Sequence, residues 1–263
     1  YSCPASMPCG PDRKDIFVEI DYMIGHRPNQ EAIDAVVAAF NNAPTTAPPG
    51  GTSGIRLHVQ IDDAETMGHI DSTQFPGTNT APGFDQIKAT HFGTLTERQT
   101  TTDWVNTGWK LKKQAFHYFL FAHSQIGGSD KSSGIAEVLG NDALITLGSF
   151  DGQIGTPDQQ AGTLMHELGH NLNLNHGGAA ADTVNCKPNY LSLMSYSRQF
   201  NDLVTDRALD FSHQQIPSTG TIGETGVNEN PALQSYTFKP TERMIWNKDG
   251  ATPSLAYGPS GIT

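Results

Sequence analysis

The chain is poor in charge, and poorest in positive charge. Only 16% of its 263 residues are Asp, Glu, Lys or Arg, where average soluble proteins have about a quarter. Sixteen Lys and Arg stand against 27 Asp and Glu, a formal net charge of −11. A nucleic-acid partner is therefore not expected, because that affinity comes from basic surface displacing counterions. Long apolar runs are missing too. The densest stretch, Ala115 to Ala122, is broken by His117 and falls far short of the roughly 18 to 20 residues of a membrane helix, so no membrane association is expected. No Asn-x-Ser/Thr acceptor occurs, and no internal repeat stands out. Tyr1 opens the chain without an initiator Met or a basic-then-apolar leader, which reads as an already processed form. Cysteine is scarce. Cys3, Cys9 and Cys186 allow one disulfide and one leftover thiol, and either Cys3–Cys9 or Cys9–Cys186 would staple the N-terminal segment. These features favour a secreted protein, with monomer as the default state.

Glycine and proline are plentiful instead, at 27 and 16, and they punctuate a loop-rich globular chain. At about 150 residues per domain the length gives one large domain or two lobes around a cleft. Ile16 to Ile20 reads as a strand before a turn at Gly25. Asn29 caps a helix in which Ala32, Ile33, Val36, Val37 and Phe40 recur at helical spacing until Pro44. Ile55 to Ile61 alternates with period two, giving a second strand. Residues 62 to 107 are polar and weakly periodic, and read as a long excursion with a short edge strand near Thr90 to Thr94. Phe116 to Ala122 and Ala143 to Leu147 are apolar strands. Thr156-Pro157-Asp158 starts a helix whose buried side carries Leu164, Met165, Leu168 and Leu172. Past Gly177 the only helical pattern is about Thr205 to Gln215. The expected class is α/β (α+β): one domain, residues 1–263, with an upper sheet-and-helix lobe over 1–177 and a smaller irregular lobe over 178–263.

The chemistry concentrates in His166-Glu167-Leu168-Gly169-His170-Asn171-Leu172-Asn173-Leu174-Asn175-His176. Residues four apart share a helix face, so His166 and His170 can aim at one metal ion while Glu167 projects toward its open position. Given ten His, random placement yields about 0.01 HExxH matches, and roughly 0.0005 with the third His required. His176 at helical spacing would point away, so the helix must end after His170 and the chain turn back. Asn173 suits that turn, since Asn tolerates left-handed backbone angles best after Gly.

This segment resembles the metzincin superfamily of zinc endopeptidases, whose pattern is HExxHxxGxxH followed by a Met-containing turn. All three His and the Glu match; Asn173 stands where the family usually has Gly, and Gly177 follows the third His. Leu193-Met194-Ser195-Tyr196 is similar to the Met-turn. The resemblance implies a metzincin-like twisted mixed sheet, one catalytic Zn²⁺ held by His166, His170 and His176, and Met194 as a hydrophobic floor. It further implies Glu167 as general base and acid, Tyr196 as a donor to the reacting carbonyl, and protein or peptide substrates. A substrate-binding edge strand would lie near Phe116 to Gln125. The alternatives are a narrow-specificity zinc amidase and a non-catalytic zinc-stabilised binding module, with Cys186 a conceivable fourth ligand that would close the site.

The other histidines, His26, His58, His69, His91, His117, His123 and His213, show no ligand spacing among themselves and are expected as polar surface or satisfied core. His213 is the one spare ligand candidate. Lys110, Lys112 and Lys113 read as a solvated face. Asn247-Lys248-Asp249-Gly250 faintly matches a calcium loop, but Ile245 replaces its first acidic ligand, so Ca²⁺ is possible without support.

Overall fold

The computed structural model describes residue 3 and residues 7–63, 67–76, 83–126, 132–178, 183–185, 190–202, 204–205 and 207–213, with the backbone of 257–258 and 261–262. Cys186, residues 245–250 and the end of the segment expected as a helix over 205–215 lie outside the described residues. The chain forms two compact units, 1–173 and 174–263. The fold is mixed α/β.

The first unit is built on five strands, β1 (Lys14–Tyr22), β2 (Ile55–Ile61), β3 (Phe116–Ala122), β4 (Gly134–Ala136) and β5 (Asp142–Thr146). Their order is β2-β1-β3-β5-β4. The first four in that order run parallel, and β4 closes one edge antiparallel to β5. Central parallel strands are covered on both faces and therefore read as continuous apolar runs. All of β3 is buried except Ala115's neighbour but one, His117, and all of β5 is buried. Because β3 lies between β1 and β5, it cannot be the substrate-binding edge expected from sequence. The edges are β2 and β4.

One face of the sheet carries α1 (Gln30–Asn41) and, after β5, the long helix α5 (Pro157–Asn171). The order along the chain also includes α2 (Phe84–His91), α3 (Leu95–Thr100), a π-helical turn over Trp104–Gly108 and α4 (Trp109–Lys112). The core on this other face joins Phe84, Ile87 and Phe92 to Phe116, Tyr118, Leu120 and Ala122 of β3. Two faces covered by helices make the layered arrangement that buries a mostly parallel sheet.

The region 84–112 corrects the sequence reading. Thr90 and His91 end a helix instead of forming an edge strand, and the Thr90 hydroxyl bonds back to the Gln86 carbonyl at 2.9 Å. Phe84 and Ile87, spaced for a helix, supply the buried face. Thr94 and Glu97 then form a reciprocal capping box that starts α3. Nor are the three lysines one solvated face. Lys112 is 1% exposed, its ammonium held by the Glu19 carboxylate, by Glu97 at 2.6 Å and by Gln60 at 2.9 Å. Cys3 and Cys9 stand within disulfide reach, their Cα atoms 5.9 Å apart.

In the second unit a turn over 192–195 leads into the short helix α6 (Tyr196–Gln199), and Tyr257–Gly258 and Gly261–Ile262 pair as two-residue strands β6 and β7. The described part of 205–213 is not helical. The Asp210 carbonyl is taken by the Leu193 N–H at 3.0 Å, which diverts it from a helical ladder. No helix among the described residues is long and apolar enough to cross a membrane.

Candidate functional site

Helix α5 is started by Thr156, whose hydroxyl accepts from the Gln159 N–H while the Gln159 side chain accepts from the Thr156 N–H. Pro157 follows at the first helical position, where its missing N–H costs nothing. From Gln160 to Asn171 every residue is buried, so the helix places His166, Glu167 and His170 inside the protein. Its C-terminal end is tied down by Asn171. That side-chain amide donates to the carbonyls of Glu137 at 2.8 Å and Asp142 at 3.0 Å, and its oxygen meets His117 Nδ1 at 3.0 Å. Strands β3 and β5 and the residue that follows β4 thereby fix the last turn of the helix.

The chain then reverses as the sequence predicts. Asn173 has φ 70°, the left-handed conformation that Asn tolerates, and its N–H bonds to the His170 carbonyl at 2.9 Å. His170 receives a second anchor from the Leu139 N–H at 3.0 Å. Further on, Gly178, at φ 101°, closes onto the Asn175 carbonyl at 3.0 Å. The ligand nitrogens of His166, His170 and His176 lie within 4.8 Å of one another. Imidazoles around one tetrahedral ion, with bonds of about 2.0–2.1 Å, stand roughly 3.4 Å apart, so a contraction of about 1.4 Å at most seats an ion. The three donors thus fit a metal ion. All three are uncharged ligands of a kind suited to zinc and its neighbours.

Glu167 is 3% exposed. Burial alone pushes its carboxyl up to about 8, since the low-dielectric surroundings penalise the anion; a cation at the histidines acts in the opposite direction. Strand β4 passes directly beside it, and Gly134 allows the approach: a Cβ there would stand 2.8 Å from Glu167 Oε1. Met194 is fully buried in the turn 192–195, where the Ser195 N–H bonds to the Ser192 carbonyl at 3.0 Å. Tyr196 is 54% exposed; its ring lies 4.4 Å from that of His176, and its N–H bonds to Asn185 Oδ1 at 2.9 Å.

Six of the seven remaining histidines, all but His91, divide into two groups. His58 bonds Asp15 at 2.8 Å and stacks on Phe17, His117 bonds Asn171, and His213 lies 3.2 Å from Asp210. These are the satisfied residues the sequence leads one to expect, and His213 is thereby accounted for by its own neighbour. His26, His69 and His123 depart from that expectation. Their ligand nitrogens also lie within 4.8 Å of one another. Burial, then the nearby His123 and His69 rings, push His26 down to about 4. Spacing could not reveal this trio, because its members follow three different strands; His123 directly follows β3, whereas His69 stands eight residues past β2.

A comparison with known protein families matches none of them, and a comparison with curated proteins finds no relative.

Proposed function

We propose that the protein is a secreted, zinc-dependent endopeptidase of metzincin type. The observation that carries the reading is the convergence of His166, His170 and His176 beside the buried carboxyl of Glu167 on the same helix. A structural zinc site ordinarily fills its fourth position with Cys or His and has no use for a buried carboxyl at this place. The reversal at Asn173 and the buried Met194 within a tight turn support the same family resemblance.

A zinc ion held by the three imidazoles supplies a Lewis acid that acidifies water and polarises a peptide carbonyl. Glu167 removes a proton from the attacking water as its oxygen bonds the carbonyl carbon, and delivers that proton to the amide nitrogen as the C–N bond breaks. Tyr196, at the start of α6 and against the His176 ring, donates its hydroxyl to the carbonyl oxygen as negative charge develops. The substrate is an extended peptide that adds to the outer edge of β4, where main-chain hydrogen bonds give affinity without demanding a sequence. That edge runs past Glu167 at Gly134, which sets a bound backbone beside the general base.

Chelation followed by zinc return tests the reading. Cleavage of unfolded casein or of a diverse peptide library should stop on chelation and resume on restoring zinc. Full zinc occupancy with no cleavage of either substrate would favour the binding-module alternative.

A further inference from the structure

We propose that His26, His69 and His123 form a second metal site, specific for a zinc-class transition ion, which clamps together the ends of three strands. The three side chains come from distant parts of the sequence and meet because of the topology. Strands β2, β1 and β3 are adjacent and parallel, so their carboxyl ends lie at one edge of the sheet. His123 directly follows β3. His26 follows β1 through a turn in which the His26 N–H bonds to the Met23 carbonyl at 2.8 Å. His69 follows β2, after Met67 has paired in parallel with Met23 and its carbonyl has accepted from the Ile24 N–H at 2.8 Å. The carboxyl edge of a parallel sheet is where such folds hold their ligands.

The rings pack on one another. Their centroids are 5.3 Å apart for His26 and His69, 5.2 Å for His26 and His123, and 5.0 Å for His69 and His123. His26, 6% exposed, makes no side-chain hydrogen bond among the described residues. His123 keeps Nδ1 buried without a hydrogen-bond partner among them, a state that calls for compensation in a folded protein. His58, His117 and His213 each have an Asp or Asn partner, so this trio is unlike the satisfied histidines elsewhere. A metal ion is the ligand that three converging neutral imidazoles fit best.

Two neighbours brace the rings. A Cβ on Gly148 would stand 2.6 Å from His123 Nδ1, and the Gly148 N–H bonds the His123 carbonyl at 2.8 Å, so glycine lets the backbone back the ring closely. Asp71 Oδ1 lies 3.4 Å from His69 Nδ1. A carboxylate on the Nδ1 side is where metal sites place the group that orients an imidazole and leaves Nε2 for the ion. Nitrogen donors select zinc, copper or nickel and disfavour calcium, which takes oxygen ligands.

This site is separate from the HExxH site. Asn171, next to His170, is tied to His117 and Asp142, at the amino ends of β3 and β5, whereas His123 is past the carboxyl end of β3. The six residue steps from His117 to His123 along β3, at about 3.3 Å each, put roughly 20 Å between those places. The two trios cannot share one metal ion.

The test is metal counting on the intact protein, loaded with zinc and dialysed, in wild type, His69→Ala, His123→Gln and His166→Ala. His69 has a partly exposed ring, 38%, so its removal spares the fold; circular dichroism checks each variant. The expected result is two zinc ions per chain in wild type and half that content in each variant. His69→Ala should retain the zinc-dependent peptide cleavage assigned to the other site. Equal zinc content in wild type, His69→Ala and His123→Gln would overturn the proposal, whatever becomes of the peptidase reading. Retention of this zinc with no cleavage would instead count against the peptidase reading alone.

Discussion

Gly134 and Glu167 stand so close that a Cβ on the glycine would fall 2.8 Å from Glu167 Oε1 and 3.0 Å from its Cγ. The Leu144 carbonyl oxygen, at 2.9 Å from the same point, blocks retreat. Strand β4 and the Glu167 carboxyl are therefore set against each other by the absence of one methyl group. Gly134→Ala should displace the carboxyl while leaving the histidines in place. Misplacing a catalytic group by about 1 Å can cost on the order of 100-fold in rate, so kcat should fall by roughly 10- to 100-fold with zinc content unchanged. An unaltered kcat would show that Glu167 has no such constraint.

Asn171 is the tie between helix α5 and strands β3 and β5, with the residue that follows β4. Asn171→Ala leaves the carbonyls of Glu137 and Asp142 and the ring of His117 without that partner. At about 1 kcal/mol per hydrogen bond, with more for buried groups left unpaired, the loss should be about 2–4 kcal/mol in a urea melt. A change under about 1 kcal/mol would mean water replaces the amide freely.

Lys112 and Glu19 form a buried ion pair, 1% and 0% exposed. Lys112→Met strands the Glu19 carboxylate, and uncompensated buried charge costs about 3–5 kcal/mol. Replacing both partners, as Glu19→Leu with Lys112→Met, should recover part of that loss. Denaturant melts of the single and double variants give the comparison; additive losses would contradict the pairing.

Asp21 gives the fold a pH dependence of defined sign. Burial, and then the Glu19 carboxylate, push it up to about 8 from its ordinary 3.8, with Asp62 adding to the rise and the Tyr118 hydroxyl and Arg98 opposing it. Tyr118 donates to Asp21 Oδ2 at 2.7 Å. Between about pH 4 and 8 the folded protein holds a proton that the unfolded chain has released. This contribution is complete below about pH 4 and is lost as pH rises through 8, with a slope of at most about 1.4 kcal/mol per pH unit. Asp21→Asn should remove the slope, so its stability relative to wild type should climb from pH 5 to 8. Parallel stability curves would contradict the assignment.

The legible parts of the fold were those with a periodic signal. Ile55–Ile61 and Phe116–Ala122 are strands with the boundaries their patterns predict, and Asn29 and Thr156 cap the helices they announce. Asn173 adopts the backbone that the third histidine requires. Short elements carried too little pattern. Helix α2 buries only Phe84, Ile87 and Lys88, and β4 has three residues, so neither holds a full period of contrast. The Thr94-x-x-Glu97 capping box was the one readable sign of helix in that stretch. Lys112 looked solvated because its carboxylate partner Glu19 is far away in sequence. The HExxH ligands were visible because a single helix and turn set their geometry. His26, His69 and His123 were not, since only the parallel pairing of β1, β2 and β3 brings them together.

The central claim is that Glu167 moves the proton in a zinc-dependent peptide cleavage. Its most direct test is cleavage of unfolded casein by wild type and Glu167→Ala, with zinc at the His166, His170 and His176 site quantified in both. The account predicts that the variant keeps that zinc and the fold and loses turnover by on the order of 100-fold or more. Undiminished cleavage by zinc-loaded Glu167→Ala would contradict it.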